Sequence, residues 1–533
     1  MRRMFMERIH PRLLALAILL GALTLIPVAT ASAGSMPNPG NRQDLIQDKG
    51  FEFRAVLPAL LPNSKENTSS IAQNNGTGPA TIVMEIYTTQ GVLIPSATVA
   101  FTDVPPGATR VFAQAINTGL TPGFRGVGVI SSNQPINALL VRDITSNTFV
   151  KSYSIHNAYP TGGTKVTLPY IANALSNIYS TRFAIANTGN TEACVTITYV
   201  FPGGSQTPVT DSGSGAQACG GGGYRIPVGG QISFAPTAVD GAIPMPASTS
   251  NRLMAATVTT TSSTITVGVD AFHQTGLRKL ASYDGFVVEG GTSDLGTEIA
   301  MPLAIKLSGF YTQYLLSNPG NTAAQATITY TGNTGTYVVN LNIPANGTAN
   351  HSVYEQLGGI PEGFVGAAKI TSTQPIAAVL FRSKMTTPGS FVDTDLYTAV
   401  NGTPVIRATT TAKLPLIFRR AYRTGSFSGY NTWFSVSVAD GGTANLTITA
   451  INDTSNAAPG CNAPGTYTTQ KTITGSFIFY QNLDVDSGLG PTPPACFWGG
   501  VTITSDKPII VIANATNDLN RGDNDGLYNA FTN

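Results

Sequence analysis

Four landmarks recur four times, in the same order, along this chain, and no other feature restricts its fold as strongly. The first is a short apolar strand that carries a proline. It reads Leu57-Pro58, Leu168-Pro169, Met301-Pro302 and Leu414-Pro415, with steps of 111, 133 and 113 residues between the prolines. Next come an alternating strand, a tight turn and a second alternating strand. In the second unit these are Phe183-Ala-Ile-Ala-Asn187-Thr-Gly189-Asn and Cys194-Val-Thr-Ile-Thr-Tyr199; in the third, Tyr314-Leu-Leu-Ser-Asn318-Pro-Gly320-Asn and Ala326-Thr-Ile-Thr-Tyr330. Asn, Asp and Gly at the turn tolerate the positive φ of tight hairpins. The third landmark is a hairpin: Gly123-Phe124-Arg125-Gly126 before Gln134-Pro135-Ile136, Gly363-Phe364-Val365-Gly366 before Gln374-Pro375-Ile376, and Phe497-Trp498-Gly499 before Lys507-Pro508-Ile509. The second unit keeps those strands without the proline. A tyrosine-bearing strand closes each unit, at Tyr153, Tyr283, Tyr397 and Tyr528.

Several short strands of period 2 per unit, with turn signals between them, predict an all-β chain of β-sandwiches. Alternation turns Val, Ile and Tyr inward and Thr and Ser outward. Hydroxyls on the outer faces explain why charged residues are only 11% of the 533. A formal net charge of +2 leaves no electrostatic footprint for nucleic acid. The predicted units span residues 51–160, 165–289, 298–401 and 411–533. Short linkers at 158–165, 288–298 and 401–411 predict a rod of four beads.

Ahead of the repeats, Arg2, Arg3, Arg8 and Arg12 precede an apolar run from Leu13 to Val28, followed by Ala29, Ala31, Ser32 and Ala33. Positive, apolar and small in that order is the build of a secretory signal, here residues 1–33, with cleavage after Ala33 or alternatively Ala31. Residues 34–50 read as a flexible N-terminal segment. No other stretch is long enough to span a bilayer, so no membrane span is expected after cleavage. Export favours disulfides. Of the three possible pairings, only Cys194 with Cys219 and Cys461 with Cys496 keeps each bridge inside one unit, and the spacings do not suit zinc.

The combined signature of Leu-Pro-Leu-Ile, Asn-x-Gly-Asn-Thr, Thr-Ile-Thr-Tyr, Gly-Phe-x-Gly and Ser-x-Gln-Pro-Ile resembles tandem immunoglobulin-like repeats of bacterial secreted and cell-surface proteins. It covers nearly all of the chain after residue 50. The resemblance implies four immunoglobulin-like β-sandwich domains and a role at the cell surface. Such repeats serve as stalks, adhesins and surface-layer parts, so it implies no particular activity.

Residues for catalysis are scarce. His156, His273 and His351 fall at non-matching positions in three units, and no Walker-type loop, Gly-x-Ser-x-Gly or His-Glu-x-x-His occurs. The Asp523-Asn-Asp525-Gly526 cluster lacks the first ligand and distal Glu of a calcium loop and reads as a solvated turn. Arg521-Gly522-Asp523 reads as a chance tripeptide. No metal, cofactor or catalytic residue is therefore expected. Both tryptophans, Trp433 and Trp498, lie in the fourth unit. Trp433 aligns with Arg182 and Gln313, and Trp498 with Arg125 and Val365, positions from which the pleat turns both indoles away from their own core. They are the candidate ligand or interface residues, because an outward Trp can stack on sugar or anchor a partner.

The function expected from the sequence is that of a non-catalytic, secreted structural or adhesive protein of the cell surface. Its partners would be further copies of itself and cell-envelope components, in a layer, filament or stalk. The alternative is an extracellular polysaccharide-binding protein that uses the aromatics of the fourth unit. A secreted enzyme is disfavoured, because no acid–base pair recurs.

Overall fold

The computed structural model describes residues 53–532 except 61–65, 146–150, 159–160, 203–205, 214–218, 221, 239–240, 274–278, 356–357, 386–393, 422–429, 453–464, 481–496, 518–522 and 524. The expected signal peptide, the segment 34–50, and both Cys461 and Cys496 lie outside the described residues. The described chain is all-β, built from several sheets that pair antiparallel except for Ile243–Pro244 on Gln231–Ala235, and its helical elements are 3₁₀ turns such as Pro95–Ala97. No described helix is long and apolar enough to cross a membrane.

The first unit sets the pattern. Its strands are β1 (Phe53–Leu60), β2 (Glu66–Asn74), β3 (Ala80–Thr88), β4 (Val99–Val104), β5 (Thr109–Ala113), β6 (Gly126–Ser132), β7 (Ile136–Thr145) and β8 (Lys151–Asn157). They form two four-stranded sheets, β1-β6-β3-β4 and β5-β2-β7-β8. Residues 165–289 repeat this order, with additional short strands. In the third and fourth units the counterparts of β6 and β7 are one long bent strand each, Phe364–Met385 and Phe497–Asn517, which pairs in both layers. The alternation read from sequence is what folds. Along Ala193–Val200, the side chains of Ala193, Val195, Ile197 and Tyr199 are buried, and those between them are half-buried.

Each proline landmark marks an irregularity. The register of the opening strand shifts around Pro58, Pro169, Pro302 and Pro415, because proline cannot donate to the ladder. Nearby carbonyls are thereby left to side-chain donors. Tyr283 Oη donates to Tyr170 O at 2.5 Å, Tyr314 Oη to Leu303 O at 2.6 Å, and Tyr528 Oη to Leu416 O at 2.5 Å.

The opening-strand layer of each unit packs on the closing-strand layer of the next. β1 meets Tyr179–Asn187 and Ile265–His273; Lys165–Asn173 meets Phe310–Asn318 and Phe364–Met385; Gly296–Leu307 meets Tyr430–Val438 and Phe497–Asn517. The fourth opening strand, Thr409–Arg419, then meets β2 and β7 of the first unit. The contact is head to tail, and after four steps it closes. Hydroxyls mark the same seam, with Ser435 Oγ donating to Pro302 O (2.5 Å) and Thr109 Oγ1 to Pro415 O (3.0 Å). Ile71, Leu139, Val141, Tyr153 and Ile155 of the first unit belong to the hydrophobic core of the fourth.

The expected rod is thereby corrected. A line of four beads keeps its first and last members apart, whereas here they share a core. The connections are also bonded into sheets rather than strung between beads. Gly163 N donates to Ile265 O (3.0 Å), Gly402 N to Ala378 O (2.7 Å), and Thr403–Pro404 pairs with the third opening strand.

Candidate functional site

The four closing strands, β8, Lys279–Asp284, Thr394–Asn401 and Asp525–Asn529, meet at the centre in a cycle of contacts, with Lys279–Asp284 and Asp525–Asn529 also touching across it. The approach is close. A Cβ on Gly526 would stand 2.7 Å from Ile155 Cγ1 and 3.0 Å from the Tyr153 ring. Glycine is needed there because only a bare backbone fits.

One position of each closing strand builds a ring. Asn157, Asp284, Asn401 and Asn529 pair with Leu139, Gly268, Val379 and Ile512, which are matching positions of the four hairpins. Asn157 Nδ2 donates to Asn529 O (2.8 Å), and its Oδ1 accepts from Asn529 N (3.2 Å). Asn529 Nδ2 donates to Asn401 O (2.9 Å). Asn401 Nδ2 donates to Asp284 O (2.8 Å), and its Oδ1 accepts from Asp284 N (3.0 Å). Asp284 Oδ2 accepts from Asn157 N (3.2 Å), which completes the cycle. Each side chain thus satisfies backbone groups of a neighbouring edge strand at a part-buried junction.

Charge is concentrated between the first and second units. The Arg142 guanidinium, 2% exposed, bonds Glu66 Oε2 at 2.8 Å and also the Asp270 carboxylate. His156 Nδ1 lies 3.0 Å from Asp284 Oδ1 and its Nε2 3.1 Å from Asp270 Oδ1. Ser282 Oγ donates to the same Asp270 oxygen at 2.8 Å. Burial alone would lower the imidazole pKa, but hydrogen bonds and charge from Asp270 and Asp284 outweigh it and raise it to about 9. His156 is therefore a cation at neutral pH, donating from both nitrogens. Burial alone would raise the Asp270 carboxyl; Arg142 and His156 outweigh that and hold it well below the usual carboxylate range. Arg142, His156, Asp270 and Asp284 thus pair with one another across the junction, which fixes which faces meet.

The other sequence candidates fall into several places. Cys194 and Cys219 form a disulfide, with a sequence separation of 25. Trp433 is half-buried. It leaves its own core, as the pleat argument requires, but packs against the core of the third unit, with the Arg382 guanidinium 5.5 Å from its ring centroid. Trp498, expected to turn away from its own core, instead packs half-buried on the fourth-unit core, 6.4 Å from the Phe418 ring. The two indoles do not converge on one site. Asp523 is not in the solvated turn expected for it. Its carboxylate is buried, accepts from Leu280 N (2.5 Å) and Tyr397 N (2.9 Å), and is pushed well above the usual range by burial. His273 and His351 are buried, His273 against Tyr179 and Tyr397, and His351 with Nδ1 2.7 Å from Tyr330 Oη. Among the described residues, no group of three or more His, Cys, Asp or Glu side chains is placed to hold a metal ion.

Of these residues the sequence draws attention only to His156, and not to Arg142, Asp270, Asp284 or Arg382. A signal existed. Arg142, Asp270 and Arg382 each interrupt an apolar strand in a chain with few charges, and a charge in such a run needs a buried partner.

No protein-family model matches the chain, and no curated protein sequence matches it. Among solved structures, it has a likeness to Thermotoga maritima 1070, with 15% identity over 20% of this chain and 94% of that one, at a TM-score of 0.18. It is also similar to a tetra-tandem repeat in the extending region of a large adhesion protein, with 12% identity, 90% and 98% coverage, and a TM-score of 0.11. A third likeness is to a glycoside hydrolase family 32 structure from Bifidobacterium adolescentis, with 9% identity, 89% and 99% coverage, and a TM-score of 0.13. At such TM-scores none of the three bears on fold or activity.

Proposed function

We propose that this chain is a secreted, non-catalytic protein of the cell surface, with a structural or adhesive role. In this reading its four immunoglobulin-like units act as one rigid block, and blocks associate with one another and with the envelope. The observation that carries the reading is the closed ring of Asn157, Asp284, Asn401 and Asn529. A chain that uses polar side chains at its central junction to lock units together is built for mechanical integrity. Two further features support it. The disulfide suits an oxidising compartment. The sheet-end strands β4, Val209–Asp211, Gly335–Ile343 and Gly465–Thr474 carry only Asp103, Asp211 and Lys471 as charges, too few to guard against edge pairing. The polysaccharide alternative rested on outward indoles; both are half-buried against neighbours, and no other observation favours it. Electron microscopy of intact cells carrying labelled protein tests the proposal. A layer, filament or regular surface display is the expected result, and label confined to the cell interior would overturn it.

A further inference from the structure

The tripeptide Asn-Gly-Thr occurs three times in the chain, at residues 75–77, 346–348 and 401–403. An Asn followed by Gly is open to attack from within its own backbone. Glycine places no side chain beside its N–H, so that nitrogen can reach the side-chain carbonyl carbon of the residue before it. With one local sequence in three places, the fold decides where such a reaction runs.

At two of the places the fold opposes it. Asn401 belongs to the central ring. Its Nδ2 donates to Asp284 O (2.8 Å), its Oδ1 accepts from Asp284 N (3.0 Å), and Gly402 N donates to Ala378 O (2.7 Å). Asn401 would have to leave the ring before it could react. Asn75 is half-buried, and both atoms of its amide are shielded from solvent. Gly76 N is held by Asn74 Oδ1 at 2.8 Å.

The third place differs. Asn346 is exposed, in the turn between Gly335–Ile343 and Gly347–Ser352, with φ at 49°. Asn is one of the few side chains that enter this left-handed region readily. A Cβ on Gly347 would stand 2.9 Å from Pro344 Cβ and 3.0 Å from Pro344 O, so the next residue has to be glycine. The turn itself therefore calls for the reactive pair. The Asn346 amide is tied by an exposed bond, from Nδ2 to Asn321 Oδ1 at 3.2 Å. Gly347 N donates to Pro344 O (3.0 Å) within the turn, so freeing it breaks no ladder bond.

We propose that Asn346 is a site of spontaneous deamidation through the adjacent glycine, with water as the co-reactant. Gly347 N bonds to Asn346 Cγ, the Cγ–Nδ2 bond breaks, and ammonia leaves with the proton of the Gly347 N–H. Water then opens the cyclic imide at either of its two carbonyls. One opening yields an aspartate on the ordinary backbone; the other routes the main chain through the side chain as isoaspartate. Either way a neutral amide becomes a carboxylate. The site does not depend on the surface role above.

The test holds the purified full-length protein in mildly alkaline buffer made with heavy-oxygen water, and follows all three tripeptides by mass spectrometry. Heavy oxygen should enter at position 346 as a mixture of aspartate and isoaspartate. Conversion at 75 and 401 should be at least about tenfold slower, because there it waits on local opening of the fold. A more acidic form should accumulate on ion exchange in step with the change at 346. In guanidinium, with the fold removed, the three tripeptides should convert at comparable rates. Asn346→Gly, which suits the same left-handed turn, should fold and lose the acidic form. Position 346 staying an amide in the folded protein while it converts in guanidinium overturns the proposal. Folded protein that converts 401 as fast as 346, or an acidic form that persists in Asn346→Gly, overturns it equally.

Discussion

Asn157 and Asn529 stand 372 residues apart in sequence and exchange two hydrogen bonds, side chain to backbone in both directions. That pair joins the ends of the repeat array and fixes the cyclic order of the units. Replacing Asn157 by alanine leaves the N–H and C=O of Asn529 without these partners at a packed junction. We expect a loss of about 1–3 kcal/mol in unfolding free energy. Guanidinium unfolding monitored by circular dichroism measures it. A change within about 0.5 kcal/mol would mean that water replaces the side chain at no cost and that the ring does not hold the junction.

Closure also sets the size of the molecule. A compact body of about 480 residues has a radius of gyration near 23 Å, whereas four beads in line would exceed about 40 Å. Small-angle scattering of the purified protein should return the smaller value. A curve with the larger radius and a rod-like distance distribution would restore the linear arrangement. The same closure predicts protection of Gly163 and Gly402, whose backbone groups are bonded, from limited proteolysis.

The His156 network gives the first junction a pH dependence of known sign. The folded pKa of about 9 lies above the ordinary 6.5, so the folded state holds the proton more tightly. Its contribution is complete below about pH 6.5 and is lost as pH rises through 9. Asp270 acts oppositely. Its pKa is lowered, so its contribution is present above the ordinary value of 3.8 and is lost as pH falls toward the folded value. The buried Asp523 carboxyl, raised by burial, adds a slope of the same sign as His156. Unfolding free energy should therefore fall between pH 6.5 and 9, by an amount on the order of 3 kcal/mol from the imidazole. His156→Gln should flatten that slope while Asp523 remains. Equal slopes in the two proteins would show that His156 is not the group responsible.

The disulfide should act locally. Cys194 lies in Ala193–Val200, whose backbone pairs with Val209–Asp211 and Tyr224–Ile226, the strands flanking Cys219. Loop-closure entropy assigns a bridge of this span roughly 3 kcal/mol. Reduction should raise hydrogen exchange first in Val209–Asp211 and Tyr224–Ile226. Non-reducing peptide mapping of the same sample reads whether Cys461 joins Cys496. Exchange that rises evenly across all four units would contradict a local role.

Much of each unit was legible because its signals are local. The Asn-x-Gly turns are the clearest case. Asn187 and Asn318 each accept from the glycine N–H two residues on, and each donates onward to close its hairpin. The buried row of Val195, Ile197 and Tyr199 was equally plain in the period-2 pattern. Closure was not legible, for a physical reason. A short linker limits how far the next unit can lie but not the direction in which it turns. The residues that decide direction are single polar side chains whose partners are backbone atoms more than 100 positions away, as Asn401 and Asp284 are. What covers the Trp433 face belongs to the third unit and leaves no local trace in the sequence around it.

Self-association, if it occurs, must run through sheet ends, because a closed block has no free head or tail. The four candidates are not equivalent. β4 carries Asp103, Val209–Asp211 ends in a carboxylate, and Gly465–Thr474 holds Lys471, and such charges oppose edge pairing. Gly335–Ile343, Gly-Thr-Tyr-Val-Val-Asn-Leu-Asn-Ile, has no charge at all. Among the described residues it pairs on one side only, with Ala324–Gly332, and Val338 on it is 52% exposed. Two blocks pairing along this edge would bury that valine and satisfy a row of backbone groups. Weak contacts of this kind add up when several are made at once on a cell surface. Val338→Lys should leave stability within about 0.5 kcal/mol, since the side chain is exposed, while placing a charge on the edge. In sedimentation velocity the unmodified protein should show a weight-average coefficient that rises with concentration, and the variant should stay at the monomer value. Association unchanged by the lysine would move the contact to another edge. A single monomeric species of the unmodified protein up to high micromolar concentration would end the self-association part of the proposed function.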